Sequence, residues 1–392
     1  MALPRTVPAQ SVRESGSAGV RIVENEYRPN LTAPRYRVDT TPFLVIDGRS
    51  EGRNQSLGDV RGALRFLDGG IAIVEGDRYR VTFADSTGRI RFRIGTPGDG
   101  TSAGQFNYIS GAFRLPHDQI GIWDGATDRL TGLNRDGRVT VWSRFERPQA
   151  EQLPIGVNHP RLEVLGRLAD GRFLGQIVET VINGMASRSF VDSMPLVIID
   201  RQGRASALTT VFKRRWFNYR GNPYAVVEDV PFAPVGAIAA DGDGWYYSGG
   251  SRFEIEQHTP SGRVAAIMRL SRPRIALTND AIKRFVDRRL VRLESKLRPD
   301  YAAAYAWVKH PAYSGAYTML RVDRLGDVWA RLWADDGDPA TWDVFSPAGH
   351  WIGPVTVPPD LDIFDIGSNY LLASHVAAHG SQEVREYRLS RK

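Results

Sequence analysis

Apolar and polar positions alternate in short runs along nearly the whole chain, and the clearest unit lies between Asn107 and Phe145. Ile109 to Leu115 is a first apolar run, which turns at His117-Asp118 into Gln119 to Trp123. A second turn at Asp124 to Asp128 leads to Arg129 to Leu133. Asn134 to Gly137 then forms a hairpin turn in which glycine takes a positive φ without steric cost, and Arg138 to Trp142 leaves it. Four short strands in fewer than 40 residues, with no helical period, predict a four-stranded antiparallel meander the size of one β-propeller blade.

The same turn recurs at Gly88-Arg89, Gly137-Arg138, Gly203-Arg204 and Gly262-Arg263, with a variant at Gly349-His350. Upstream of each lies another turn, at Asp68-Gly69, His117-Asp118, Asp170-Gly171, Asp241-Gly242 and Leu325-Gly326. The spacing is 19 residues from Gly69 to Gly88 and from Asp118 to Gly137, and 20 from Gly242 to Gly262. From Gly171 to Gly203 it is 32, which places an extended hairpin, Gln176 to Met194, in the third unit. Blades are expected at 59–106, 107–160, 161–231, 232–277 and 315–360, and residues 362–392 supply three strands of a sixth. An open ring would leave an unpaired edge, so the missing strand is expected from Val20–Glu24 or Tyr36–Asp39. The fold class is all-β, a six-bladed propeller closed by an N-terminal strand, forming one domain over 20–392 after a disordered leader at 1–19.

One segment departs from the β period. Thr278 is placed to cap a helix whose apolar positions Ile282, Phe285, Val286, Leu290, Leu293 and Leu297 follow the 3.6-residue repeat, with Pro299 expected to end it. Tyr301 to Val308 continues this insertion, which spans 278–314 between blades four and five. It is expected on the outer rim, with a lid over the ring as the alternative.

Gly95-Thr-Pro-Gly98-Asp-Gly100 through Gly104-Gln-Phe106 resembles the Gly-rich, Phe-ended linker between blades of bacterial six-bladed propellers of the NHL-like and TolB-like type. Trp342 to Pro358 is similar to a late blade of that group, and the likeness covers most of residues 46–392. It implies a fold and an exported location, periplasmic or secreted, but no chemistry, because many members have no established activity.

Composition narrows the partners. Of 51 basic residues only 5 are lysines, and the arginines are dispersed along a chain of formal charge +7. Nucleic-acid binding calls for a concentrated basic face, so it is disfavoured. The chain has no cysteine, which removes thiol chemistry. No stretch approaches the ~20 apolar residues that span a bilayer. Val7-Pro8-Ala9 has the small residues a signal peptidase reads, without the charged and apolar regions that should precede them. A remnant of an exported precursor and a plain leader both fit.

Candidate chemistry is sparse. Gly100-Thr-Ser102-Ala-Gly104 matches a nucleophile elbow in letters, but no helix follows Ser102. His375, His379 and Glu383 are spaced by four as metal ligands on a helix would be. They follow a β run and flank Gly380-Ser381, so a hairpin loop with solvated histidines is expected. No metal and no cofactor is expected. Alignment of the units on their first turn puts Asp59, Tyr108, Arg161 and Phe232 just ahead of the innermost strands, with Tyr317 and Asp362 at the corresponding places of the last two. These six are the expected lining of the channel mouth, suited to a polar small molecule, a peptide or a protein partner of a monomeric protein. Lys213, Arg214, Arg215, Trp216 and Tyr219 interleave cations with aromatics, a mixture that binds anionic glycans or nucleic acid by charge and stacking. The functional expectation is a non-catalytic ligand-binding or protein-interaction propeller, and the alternatives are a calcium-dependent lactonase-type hydrolase and a polyanion-binding surface at 213–220.

Overall fold

Five turns with one geometry set the repeat. Gly88, Gly137, Gly203, Gly262 and Gly349 all have left-handed φ between 74° and 85°. Each donates its N–H to the carbonyl three residues back, on Asp85, Asn134, Asp200, Thr259 and Ser346 respectively. In four of the turns the side chain at that position also accepts the N–H of the residue after the glycine, at 2.9 to 3.2 Å. A short polar side chain and a left-handed glycine three residues on therefore lock the hairpin at its tip.

The computed structural model describes residues 12–17, 19–29, 35–48, 56–148, 160–178, 187–334, 338–377 and 380–391. The structure is mostly β-sheet. Val60–Arg65, Ile71–Glu75, Arg80–Ala84 and Ile90–Ile94 form the first sheet, and Ile109–Leu115, Gln119–Asp124, Arg129–Leu133 and Val139–Arg144 the second. The third, from Arg161–Arg167 to Ala225–Asp229, has five strands, including the long hairpin Arg188–Ile199 and Ala205–Arg220. The fourth begins at Ala237–Asp241, the fifth at Tyr317–Val322 and the sixth at Leu361–Ile366. The core is divided among these sheets, because the buried apolar residues form clusters between neighbours. Phe83 meets Ile122 between the first and second sheets, Trp123 meets Val197 between the second and third, and Leu174 meets Trp245 between the third and fourth. Ile255 meets Trp351, and Trp329 meets Leu371, between the next two pairs. Ile73 meets Leu372 between the sixth sheet and the first, so the circuit closes in a propeller-like arrangement.

Closure uses the second of the two candidate strands. Tyr36–Val38 pairs antiparallel with the last strand, Gln382–Arg391, and Leu44–Ile46 pairs with the same strand further along. Around that seam Arg391 donates to Asp323 at 2.8 Å and to Asp327 at 3.0 Å, while the Tyr36 hydroxyl donates to Asp327 at 2.6 Å. The Arg391 guanidinium also lies 4.5 Å above the Tyr36 ring. The other candidate, Val20–Glu24, lies elsewhere. Val20–Asn25 runs parallel to Val264–Leu270 on the outside of the fourth sheet, where the Asn25 side chain accepts from Trp351 N and donates to Gly349 O of the fifth. The leader expectation also needs correction, since Val12–Ser17 is a strand paired with Val20–Asn25. That exposed edge accepts any sequence able to extend, Ser- and Gly-rich or not. Residues 1–11 and 18 lie outside the described residues.

The insertion forms two helices, α1 (Asn279–Arg292), capped by the Thr278 side chain, and α2 (Arg298–Trp307). Pro299 does not end a helix; it sits in the first turn of α2, where its missing N–H costs no hydrogen bond. Ala304, Tyr305, Phe285 and Val286 pack on Phe217 and Val226 of the outer strands of the third sheet. Arg289 binds Glu228 at 2.6 Å, and Asp300 accepts the Asn222 N–H at 2.7 Å in the turn joining those strands. No helix of the described residues is long and apolar enough to cross a membrane.

Two stability predictions follow from buried carboxylates. The Asp323 side chain is fully enclosed and that of Arg391 nearly so. Arg391→Met leaves two carboxylates without their cation and is expected to lower the unfolding free energy by on the order of 3–5 kcal/mol in urea titration. A loss no larger than that of an exposed surface pair would contradict the seam's role. Glu75 is also enclosed; burial alone would raise its pKa, but hydrogen bonds from Arg80, Thr82 and Gly58 N outweigh it and hold the carboxyl below its ordinary 4.5. A depressed folded pKa gives stability that is present above 4.5 and lost as pH falls through the folded value. Glu75→Gln is expected to destabilise at pH 7, with the gap to the natural protein narrowing below pH 4.5. A gap that stays constant with pH would refute the linkage.

Candidate functional site

The first strands of the sheets surround a central channel with a cavity of about 1200 Å³. Small residues let these strands approach each other. A side chain at Gly62 would come within 2.8 Å of Ala112 Cβ, and one at Gly166 within 2.9 Å of Ala240 Cβ. Each first strand except Ala237–Asp241 also carries a register shift against its neighbour, at Val60/Gly62, Ile109/Gly111, Val164/Gly166, Tyr317/Met319 and Ile363/Asp365. A bulge of this kind re-aims the side chains on either side of it.

The end of the channel where the first strands finish is cross-braced. Asp365 Oδ2 accepts from Arg114 at 2.9 Å, Arg324 at 3.2 Å, Tyr370 at 2.8 Å and Arg65 N at 3.0 Å. Arg114 and Arg324 also both donate to the Arg65 carbonyl. Arms from the second and fifth sheets thus meet on the sixth and first. Burial and the adjacent Asp365 charge push the Tyr370 hydroxyl well above its ordinary range, so it stays a donor.

The opposite end, where the first strands begin, is lined by Asp59, Ser110, Asp360, Asp362, His375 and Gln382. Asp362 lies opposite Ser374 and His375 opposite Leu361 on the neighbouring strand, so the two ionisable groups project from opposite faces of the strand pair. About half of the Asp362 side chain faces open channel. The surrounding protein still excludes enough water to raise its carboxyl above the usual range, against the attraction of Arg321 and Arg331. His375 shifts the other way. Burial, followed by the Arg385 charge, lowers it below 6.5 in spite of Glu383 and Asp360, so the imidazole is neutral at pH 7. Its Nδ1 is enclosed without a hydrogen-bond partner. Gln382 is fixed through its oxygen, which accepts the Val60 N–H at 2.7 Å and leaves the amide nitrogen as a donor group.

Of the six expected mouth residues, Asp59 and Asp362 line the channel. Asp59 is held by Arg61 at 2.5 Å. Tyr108 and Arg161 are not among the lining residues; they stack on each other, the guanidinium 4.7 Å from the ring, and Arg161 binds Glu163 at 2.6 Å. Phe232 has a left-handed φ of 64° and packs between Phe285 of α1 and Trp333. Tyr317 precedes a bulge, is fully buried, and its hydroxyl donates to Asp343 at 3.3 Å in the core. The helical spacing of His375, His379 and Glu383 pointed away from the site, since His375 and Glu383 are cross-strand partners and His379 lies outside the described residues. The signal available in the sequence was the position of His375 at the end of the second strand of the last sheet.

The expected polyanion surface is largely neutralised. Lys213 lies 3.8 Å from Asp192, and Arg214 binds both Asp192 at 3.4 Å and Asp229 at 2.9 Å. Trp216 is buried and stacks on Phe190 at 4.2 Å, and Tyr219 packs against Trp307. Arg215 is exposed. Ser102 lies in an exposed loop between the short paired strands Thr96–Pro97 and Gln105–Phe106, with no helix after it.

Among the described residues no three acidic or histidine side chains converge to hold a metal ion. Calcium takes six to eight oxygens, usually with several carboxylates. Here Asp59 is committed to Arg61 and Asp362 faces Arg321, so the donor set does not fit that ion.

No family model matches the chain, and no curated protein matches it either. Solved structures do. A member of the DUF4221 family from Bacteroides vulgatus is 11% identical over 91% of this chain and 99% of its own, with a TM-score of 0.51. A putative exported protein from Bacteroides fragilis is 13% identical over 95% and 99%, at 0.48. An aldose sugar dehydrogenase from Streptomyces coelicolor, solved with PQQ bound, is 12% identical over 91% and 100%, at 0.45. At these identities the likeness concerns architecture alone, a β-rich closed arrangement not specific to the NHL-like or TolB-like type. The expectation of a non-catalytic binding protein, more likely not an enzyme, is corrected by this comparison. Enzymes are among the matching chains, so the architecture does not favour a non-catalytic role.

Proposed function

We propose that this chain is a six-bladed β-propeller whose central channel hydrolyses a cyclic ester, a lactonase-type activity. Six sheets joined in a circuit by their core clusters support the blade count. The observation that carries the chemistry is a histidine shifted down by burial at one channel mouth, lining the same cavity as the Gln382 amide and Arg321. A positioned imidazole that is neutral at the working pH is the commonest general base.

In this reading neutral His375 takes a proton from water as the oxygen attacks the lactone carbonyl. The charge that develops on the carbonyl oxygen meets the Gln382 amide and the Arg321 guanidinium. The ring C–O bond then breaks, and the departing alkoxide is protonated from the His375 imidazolium. Lactone and water give one hydroxy acid, and His375 returns to its neutral starting state. Asp59 holds Arg61 at the rim of the mouth. No step passes through calcium, because the carboxylates of the described residues do not converge as that ion requires.

The test is turnover of a panel of γ- and δ-lactones, followed as acid release at constant pH. Natural protein is expected to hydrolyse at least one, with kcat/KM rising through a midpoint below 6.5 as His375 loses its proton. His375→Gln is expected to lower kcat by about 100-fold or more with an unchanged melting temperature. Treatment with EDTA should leave the rate as it was. Absence of hydrolysis across the panel by folded protein, or full activity in His375→Gln, would overturn the reading.

A further inference from the structure

Five arginines line the channel among the described residues, Arg61, Arg114, Arg167, Arg321 and Arg324 among its walls. Three are committed to carboxylates within hydrogen-bond distance. Arg61 binds Asp59 at 2.5 Å, and Arg114 and Arg324 bind Asp365 at 2.9 and 3.2 Å. The other two are not. The nearest carboxylate to Arg321 is Asp362, at 4.0 Å, and its closer hydrogen bonds go to the carbonyls of Ile363 and Leu320. Arg167 is half-buried, and its side chain has no hydrogen bond or ion pair to any described residue. Its guanidinium lies beside the turn at Gly171.

These two arginines stand on the third and fifth sheets. Between them the fourth sheet contributes Ile238, Ala239 and Ala240 to the wall, none of them charged. The lining carboxylates Asp59, Asp118, Asp323, Asp360, Asp362 and Asp365 all belong to the first, second, fifth and sixth sheets, which leaves Arg167 as the charged lining residue of the third and fourth among the described residues. A cation withdrawn from bulk water without a counter-ion is costly, and an arginine fork is suited to the two oxygens of a carboxylate or phosphate. We infer that Arg167 is an anion-binding group on the channel wall made by the third and fourth sheets, and that the channel's organic ligand carries a carboxylate or phosphate group. This deepens the hydrolase reading by giving the substrate class, an anionic cyclic ester, and rests on it only for that class.

Calorimetry with glutarate, inorganic phosphate and the neutral glutaramide tests the site without any turnover. Natural protein is expected to bind glutarate or phosphate saturably and at least tenfold more tightly than glutaramide. Preference between the two anions identifies the group. Arg167→Gln is expected to weaken that binding at least tenfold with little change in melting temperature, since it removes no side-chain hydrogen bond or ion pair to a described residue. Arg135→Gln, which removes an exposed partner of Asp68, should bind as the natural protein does. Equal affinity in Arg167→Gln, or no saturable binding of either anion by folded protein, would overturn the site. Anion binding without hydrolysis of any lactone would leave the site standing and remove the hydrolase reading. Hydrolysis of neutral lactones without anion binding would do the reverse.

Discussion

The seam between the first and last parts of the chain is the constraint on which the rest depends. Sheets arranged in a circuit bury their faces against one another, and the circuit is complete only when Tyr36–Val38 joins the strand Gln382–Arg391. An unpaired strand edge at that point would expose backbone donors and acceptors and leave the cluster around Trp329 and Leu371 without its Val38 side. Arg391 gathers Asp323, Asp327 and Tyr36 into one enclosed group there, with the Trp329 indole donating to Asp323 at 2.9 Å. Charge pairs this enclosed are poor sources of net stability but are strongly selective for one arrangement, because separating them strands a charge.

The same sheet carries the candidate chemistry. His375 and Asp362 belong to the first two strands of the sheet that the seam completes, and Gln382 begins its third. Val60, at the start of the first sheet, reaches across the closing interface to Gln382. The positions of these groups relative to the channel are therefore set by closure itself. At the far end the brace of Arg114 and Arg324 on Asp365 ties four sheets together, so one end of the channel is built of fixed ion pairs. The other end has groups whose partners are incomplete: a histidine with an idle nitrogen, a carboxyl shifted up by burial and an arginine 4.0 Å from its nearest carboxylate.

Much of the architecture was legible because turns are local. A glycine forced to positive φ and a short polar residue three positions earlier can be read from the chain, and they located five hairpins and the spacing of the sheets. The helical insertion was legible for the same reason, through Thr278 and the period of its apolar residues. The site was far less so. Which side chains face the channel depends on bulges, and the shift between Tyr317 and Met319 turned a supposed lining residue into the core partner of Asp343. Phe232 was placed by the docking of α1, a long-range contact with no local signature. His375 was overlooked because its helical spacing to His379 and Glu383 drew attention away from its strand partners. The chain's basicity at 213–220 likewise could not reveal Asp192 and Asp229 lying alongside, since both belong to neighbouring strands.

The chemical role of the channel turns on the state of one imidazole. Nuclear magnetic resonance of isotopically labelled histidine in the folded natural protein, titrated from acid to neutral pH, reports that state directly. A protonation midpoint for His375 below 6.5 is expected, rising in Arg385→Gln, since Arg385 is a charge that suppresses protonation. A midpoint at or above 6.5 in the natural protein, unmoved by that substitution, would contradict a neutral base poised at the channel mouth.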